Sequence, residues 1–306
     1  MPCVAYLGPE GTFTEAALRQ MVAAGSVPGG AADVEQLSCD TPPAALSAVR
    51  AGDADYACVP IENSIEGSVL PTLDSLSAGT PLQIYAEQTL DVAFSVVVRR
   101  GTSAADVATV AAFPVAAAQV RQWLAANLPT ARLIPANSNA SAAQDVASGG
   151  ADAAVSTALA AQRWNLATLA DGVVDESNAR TRFVLAGPPG PPPAPTGADR
   201  TSVVLQLDNA PGALVAALTE FAIRDIDLTR IESRPTRVEL GTYLFFLDCF
   251  GHIEDDSVAE ALKALHRRCK DVRYLGSWPT DSAAAAVPPP SDEATRWLSG
   301  LREGIS

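Results

Sequence analysis

Histidine is scarce in this chain: its 306 residues hold two, His252 and His266, both in the last quarter. A Ser-His-Asp or Cys-His nucleophile is hard to build if the reactive site lies earlier, and histidine-based metal sites are equally poor candidates. Each histidine reads as a surface or interface residue. Aromatic residues make up only 6%, so alanine, valine and leucine must fill the core. Basic residues are outnumbered, 21 against 35 acidic, giving a net charge of −14. Such a chain repels phosphate backbones and anionic membranes, which argues against nucleic-acid or membrane partners. An anionic substrate would have to meet locally placed arginines.

Cysteines are few and scattered: Cys3, Cys39, Cys58, Cys249 and Cys269. Their odd number and the lack of any Cys-x-x-Cys spacing indicate neither a disulfide framework nor a zinc site, and reduced thiols in a cytoplasmic setting are expected. No run approaches the roughly 20 apolar residues that span a bilayer. The opening Met1-Pro2-Cys3-Val4-Ala5 lacks the basic start and long apolar stretch of a secretory signal.

What is present is a hydrophobic content of 48%, enough for a large core and more consistent with two domains than one. The punctuation lies at Gly187-Pro188-Pro189-Gly190-Pro191-Pro192-Pro193-Ala194-Pro195, where proline locks extended backbone and removes amide donors, as in a semi-rigid spacer. The expected division is a first domain over 3–186, a linker over 187–199, a second domain over 200–279 and a tail over 280–306. That tail, rich in proline and alanine before Glu293-Ala294-Thr295-Arg296-Trp297-Leu298, is expected to be weakly ordered.

Before the spacer, strand-like runs at 4–7, 56–61, 94–98, 107–112, 153–156 and 181–185 alternate with helical stretches from Thr12, after Thr41-Pro42, over 114–127 and near 138–147. The alternation predicts an α/β domain with a largely parallel sheet. After the spacer the order is βαββαβ, with strands at 201–207, 228–235, 242–250 and 272–278 and helices at 212–223 and 255–268. Leu214, Ala217, Leu218 and Phe221 form one helical stripe, and the order suggests a ferredoxin-like module.

Four clusters carry chemistry. Gly8-Pro9-Glu10-Gly11-Thr12 turns a strand into a helix capped by Thr12 and Glu15, leaving amides at the strand's end, where α/β sheets bind ligands. Glu62-Asn63-Ser64 follows another strand and precedes Gly67-Ser68. Gln119 lies one to two turns into the helix begun by Phe113-Pro114. Thr181-Arg182-Phe183 puts a hydroxyl beside a guanidinium at the lip of an apolar strand. In the second domain, Asn209-Ala210-Pro211-Gly212-Ala213-Leu214 and Glu232-Ser233-Arg234-Pro235 mark a strand-to-helix turn and a strand end.

In combination and in this order, these motifs resemble the prephenate dehydratase family. The resemblance implies a two-lobed catalytic domain like type II periplasmic binding proteins, with its active site between the lobes, followed by an ACT module that commonly pairs between subunits. Residue by residue it implies Thr181 as the essential threonine, and Thr12, Asn63, Ser64, Gln119, Arg182 and Phe183 around the substrate. For the L-phenylalanine effector it implies Asn209, Gly212, Ala213, Leu214, Glu232, Ser233, Arg234 and Pro235. The implied activity converts prephenate to phenylpyruvate, carbon dioxide and water under feedback by L-phenylalanine, without cofactor or metal and in at least a dimer. Arogenate dehydration and non-catalytic amino-acid sensing fit the same architecture. Two departures stand out: Ala112-Phe113-Pro114 replaces a common Ser-His-Pro, and Asn178 lies three residues before Thr181 where the family's asparagine lies two before.

On this reading Thr181 donates a hydrogen bond, or relays a proton, to the departing hydroxyl, and Arg182 or Arg180 grips the pyruvyl carboxylate. A regular strand would point Thr181 and Arg182 to opposite faces, so both reach one cleft only if the backbone twists.

Overall fold

A computed structural model describes residues 1–30, 33–175, 178–280 and 293–303. Glu176 and Ser177, and the proline- and alanine-rich run over 281–292, lie outside the described residues. The chain forms two compact units, Met1–Ser75 with Glu87–Pro188, and Leu76–Ala86 with Pro189–Ser306. The second unit therefore includes a short segment from well before the proline-rich spacer, which a reading of continuous domains does not anticipate.

In the first unit, parallel strands β1 (Cys3–Leu7), β2 (Glu35–Cys39) and β3 (Tyr56–Asn63) carry helices α1 (Phe13–Ala23) and α2 (Pro42–Ala51). The sheet is completed by β4 (Gly67–Ser68), by β5 (Gln83–Asp91), reached through α3 (Leu70–Ser77), and by β11 (Arg180–Gly187), in the order β2-β1-β3-β11-β5 with β4 on β3. The second lobe's sheet has the order β10-β6-β9-β7-β8, from β6 (Phe94–Val98), β7 (Thr109–Ala112), β8 (Arg132–Pro135), β9 (Ala153–Ser156) and β10 (Ala167–Val173). Its helices are α4 (Pro114–Gln119), α5 (Arg121–Asn127), α6 (Asn139–Ala147) and α7 (Ala158–Arg163).

Neither sheet is as parallel as the alternation suggested. β11 runs antiparallel to β3, and β6 runs antiparallel to both β9 and β10. The chain leaves the first lobe after β5 and re-enters it with β11, so the strands at the crossings oppose their neighbours. This two-crossing, two-lobed build is the one the resemblance implied.

The helix expected over 114–127 is broken at Val120, where φ is −124°. The cause is tertiary. The Asp175 amide donates to the Gln119 carbonyl at 2.7 Å, while the Asp175 carboxylate accepts from the amides of Gln122 and Trp123 at 2.8 and 3.2 Å. A carboxylate satisfying the free amides of a first turn starts a new helix there.

In the second unit β12 (Asp199–Gln206), α8 (Ala213–Ala222), β13 (Leu228–Pro235), β14 (Tyr243–Phe250), α9 (Asp256–Arg268) and β15 (Asp271–Pro279) form an antiparallel sheet of order β13-β14-β12-β15, the ferredoxin-like arrangement. Val203, Leu205, Phe221, Leu247 and Leu265 form its core, and of the expected stripe Ala217, Leu218 and Phe221 join it while Leu214 stays half-exposed. The spacer is anchored within this unit. Gly190 donates its amide to Gln83 Oε1 at 3.0 Å, and the Pro193 carbonyl lies 3.0 Å from His252 Nε2. His252, expected at a surface or interface, is 1% exposed within the chain, and its ring also accepts from the Glu254 amide and so fixes both the spacer and the turn before α9. Of the tail expected to be weakly ordered, the described residues 293–303 form a helix, α10 (Glu293–Glu303).

Candidate active site

Three strand ends of the first unit bring the sequence motifs together. Asn63 ends β3 and Thr181 is the second residue of β11, and the two are register partners. Asn63 Nδ2 donates to Thr181 Oγ1 at 2.9 Å. The other end of the amide is held by the backbone: Asn63 Oδ1 accepts from the amides of Ile65 and Glu66 at 2.8 and 3.0 Å. Two backbone donors on Oδ1 leave only the NH2 group to face Thr181, which fixes the amide's orientation. The threonine oxygen is thus an acceptor toward Asn63, and its own proton remains available to donate elsewhere.

Ser64 holds the turn that leads into β11. Its hydroxyl donates to the Asn178 carbonyl at 2.9 Å and accepts from the Arg180 amide at 2.8 Å, and its own amide donates to the Arg180 carbonyl at 2.8 Å. That hydroxyl is therefore committed to backbone, and its effect on a ligand runs through the placement of Thr181.

Thr12 is similarly engaged. As the cap of α1 it accepts from the Glu15 amide at 3.3 Å and donates to the Leu7 carbonyl at 3.1 Å. The Glu15 carboxylate, expected to complete a capping box, instead takes the Gly11 amide at 2.5 Å and pairs with Arg19. Gly11 has φ +90°, and a Cβ there would lie 3.1 Å from Ala160, so only glycine fits this approach to the second lobe. The Thr157 hydroxyl donates to the Gly11 carbonyl at 2.6 Å, and Glu10 pairs with Arg163, which ties the glycine turn to α7.

Arg182 departs most from its expected role. Its side chain is 8% exposed and lies between two carboxylates, with Nη2 at 2.9 Å from Glu62 Oε2 and Nη1 at 3.2 Å from Glu87 Oε2. Alternation along β11 sends it to the face opposite Thr181, where a substrate carboxylate would have to displace a buried ion pair. Arg180 is the more accessible cation, with a side chain 65% exposed and Nε at 2.7 Å from Asp91. Phe183, also expected beside the substrate, is 2% exposed and packs in the core after a register shift that separates it from Arg182.

Gln119 ends α4, and its Oε1 is buried with no hydrogen-bond partner among the described residues. Asn139 Oδ1 is in the same state. Both are amide oxygens, hence acceptors, and buried polar atoms of this kind are normally paired. Sequence reading passed over Asn139 and Glu87. The signals were a polar side chain one residue after the Ser138 cap, and a carboxylate directly after the apolar run Ile84-Tyr85-Ala86. No group of three or more acidic, histidine or cysteine side chains that could hold a metal occurs among the described residues.

In the second unit the two effector motifs fall at the start of α8, capped by Gly212, and at the end of β13. β14 separates β13 from β12, the strand that leads into α8, so within one chain the motifs stand on different strands of the sheet.

A two-lobed α/β unit with a hydroxyl–amide pair at its strand ends, followed by a ferredoxin-like module, defines the class of chain. The prephenate dehydratase model matches residues 4–189, and the ACT domain model matches residues 201–267. A prephenate dehydratase of Mycobacterium sp. (strain JLS) is 73% identical over 308 residues, covering 100% of this chain and 98% of its own length. One from Mycobacterium tuberculosis (strain ATCC 25618 / H37Rv) is 73% identical over 302 residues, covering 98% of this chain and 94% of its own. The solved prephenate dehydratase of Arthrobacter aurescens, in complex with L-Phe, has 41% identity and a TM-score of 0.87, covering 99% of this chain and 100% of that one. The chain belongs to the prephenate dehydratase family.

Proposed function

We propose that this chain is a lyase that converts prephenate to phenylpyruvate, carbon dioxide and water, with Thr181 donating to the departing hydroxyl. The observation that carries the assignment is the Asn63 amide on Thr181 Oγ1 at 2.9 Å, which leaves the threonine proton to be aimed outward. As the ring carboxylate leaves, the electrons of its bond pass through the ring and expel hydroxide from the opposite carbon. One proton taken up makes that hydroxide water and closes the balance. A threonine is too weak an acid to end as the alkoxide, so solvent replaces what it gives. A donor aimed at the oxygen where charge develops lowers the barrier without tightening substrate binding.

Arg180 suits the pyruvyl carboxylate better than Arg182, being exposed while Arg182 is committed to Glu62 and Glu87. A guanidinium on the ring carboxylate would favour the ground state, since charge drains from that group as carbon dioxide forms. Gln119 hydrogen-bonds the substrate through its unpaired amide oxygen, and Thr12 and Ser64 shape the site through the backbone they hold.

Regulation belongs to the same reading: L-phenylalanine binds the ACT module through the Asn209–Leu214 turn and the Glu232–Pro235 strand end, and a second copy of the chain brings the two motifs together. The family match and the L-Phe complex of the Arthrobacter aurescens relative support it. A cytoplasmic setting agrees with five free cysteines, and no helix among the described residues is long and apolar enough to cross a membrane. Incubating the purified chain with prephenate, with and without L-phenylalanine, tests the whole proposal. Phenylpyruvate should form, and more slowly with the effector; prephenate recovered unchanged would leave only an amino-acid sensor. Competition between prephenate and arogenate decides the preferred substrate.

A further inference from the structure

Sheet order places β11 between β3 and β5. Arg182, on the central strand, reaches Glu62 on one side and Glu87 on the other, so that three adjacent strands are joined by one guanidinium. The Glu87 side chain is 1% exposed. A carboxylate so far from water is unfavourable unless it is paired and hydrogen-bonded, and here it makes a second anion for a cation that Glu62 already serves.

The position of this cluster matters because the β3–β11 ladder is irregular there. Thr181 pairs with Asn63 and Arg182 with Glu62, but Phe183 pairs with Pro60, so one residue of β3 is left over immediately beyond Arg182. Such a bulge bends the strand and increases its local twist. The shift falls between Arg182 and Phe183, so Thr181 and Arg182 stand at the last regular step of the ladder. A guanidinium held from both neighbouring strands fixes that step, since two directed charge-assisted contacts define the height and tilt of the residue next to Thr181.

We propose that Glu87 is a positioning residue for the dehydration step. Acting through Arg182, it sets the orientation in which Thr181 presents its hydroxyl proton. The proposal rests on the reading of Thr181 as the donor. With the Glu87 charge removed, Arg182 keeps its contacts to Glu62. A replacement there therefore disturbs direction more than it strands a buried charge.

The test uses Glu87→Gln, Glu87→Asp, Thr181→Ala and the double variant Glu87→Gln/Thr181→Ala in the full-length chain, each checked for folding by circular dichroism. Glu87→Gln should lower kcat by about 10- to 100-fold, the scale on which small misplacements act, with KM changed by less than about threefold. Glu87→Asp, which keeps the charge, should recover part of that loss. In the Thr181→Ala background Glu87→Gln should have no further effect, because the group it orients is gone. Damage to the fold would instead multiply with the Thr181→Ala loss, and that outcome overturns the proposal. So does wild-type kcat in Glu87→Gln alongside a collapsed Thr181→Ala. Full activity in Thr181→Ala would sink the donor reading itself, a failure distinguishable from that of Glu87. Should Glu87→Gln not fold, Glu87→Asp is read by the same comparisons.

Discussion

Asn63 and Thr181 lie 118 residues apart in the chain and 2.9 Å apart in the fold, with the amide of the first donating to the hydroxyl of the second. The direction of that bond has a consequence. Thr181→Ala should lower kcat by about 10²- to 10³-fold, as expected for loss of one preorganised donor, while Thr181→Ser keeps much of the rate. Asn63→Asp should be nearly as damaging as Thr181→Ala, since a carboxylate would draw the threonine proton to itself. Steady-state kinetics on folded variants decide it, and an Asn63→Asp variant at full kcat would refute the assigned direction.

Arg180 and Arg182 separate by the kinetic constant they affect. Arg180→Met should raise KM for prephenate by about tenfold or more, with a smaller effect on kcat, as for a contact made equally in ground and transition states. Arg182→Lys keeps the charge but loses the fork between Glu62 and Glu87, and should act mainly on kcat. Reversed outcomes would return the carboxylate to Arg182.

The second unit contains a buried ion pair in which Arg230 Nε and Nη2 meet the two oxygens of Asp248 at 2.9 and 3.0 Å. Both side chains are 4% exposed or less. Replacing Arg230 with methionine alone should destabilise the fold by about 3–5 kcal/mol, because it strips a buried carboxylate of its bidentate partner. The double variant Arg230→Met/Asp248→Leu should recover much of that loss. Denaturant titration measures both, and a double variant no better than the single one would mean that the charge itself is not the cause.

Gly276 sits on β15 with φ +133°, and a Cβ there would fall 2.3 Å from the Ile84 carbonyl oxygen. Backbone cannot yield as a flexible side chain can. Gly276→Ala should therefore destabilise by about 2–4 kcal/mol, from a strained φ and an overpacked contact together. A thermal midpoint unchanged from the parent would show that this segment relaxes freely.

Acid should weaken the second lobe of the first unit through Asp152. The Thr109 hydroxyl, at 2.7 Å, holds this carboxyl below the usual carboxylate range, assisted by the amides of Ala108 and Thr109 and the nearby Arg99. A carboxyl with a lowered folded-state pKa adds stability above its unfolded pKa and loses it as pH falls through the folded one. Thermal midpoints of the parent and Thr109→Val should therefore differ at neutral pH and converge in strong acid. A difference independent of pH would assign the effect to packing.

Short-range signals made much of this legible. β9 and β13 begin and end where the sequence placed them, and the Thr41 cap with Pro42 and Gly52 delimits α2, because caps, breakers and alternation act over a few residues. Strands β5 and β10 were not anticipated: their residues do not announce a partner, and pairing supplies their reason to be extended. The role of Arg182 was hidden for the same reason. Alternation says only that it faces away from Thr181, and Glu87, which binds it, lies 95 residues earlier on a strand not foreseen.

Composition, with its two late histidines and net charge of −14, by itself determined that histidine chemistry is not available to a site in the early part of the chain, and its proline run marked one expected boundary. Which groups meet was decided only by tertiary structure. The Asn63 amide acquires its direction from β3 meeting β11, and the two arginines, which share one face of β11, acquire their separate duties from how deeply each is buried along it. Burial and orientation are relations between distant segments, and a linear order of residues does not contain them until the sheet has assembled.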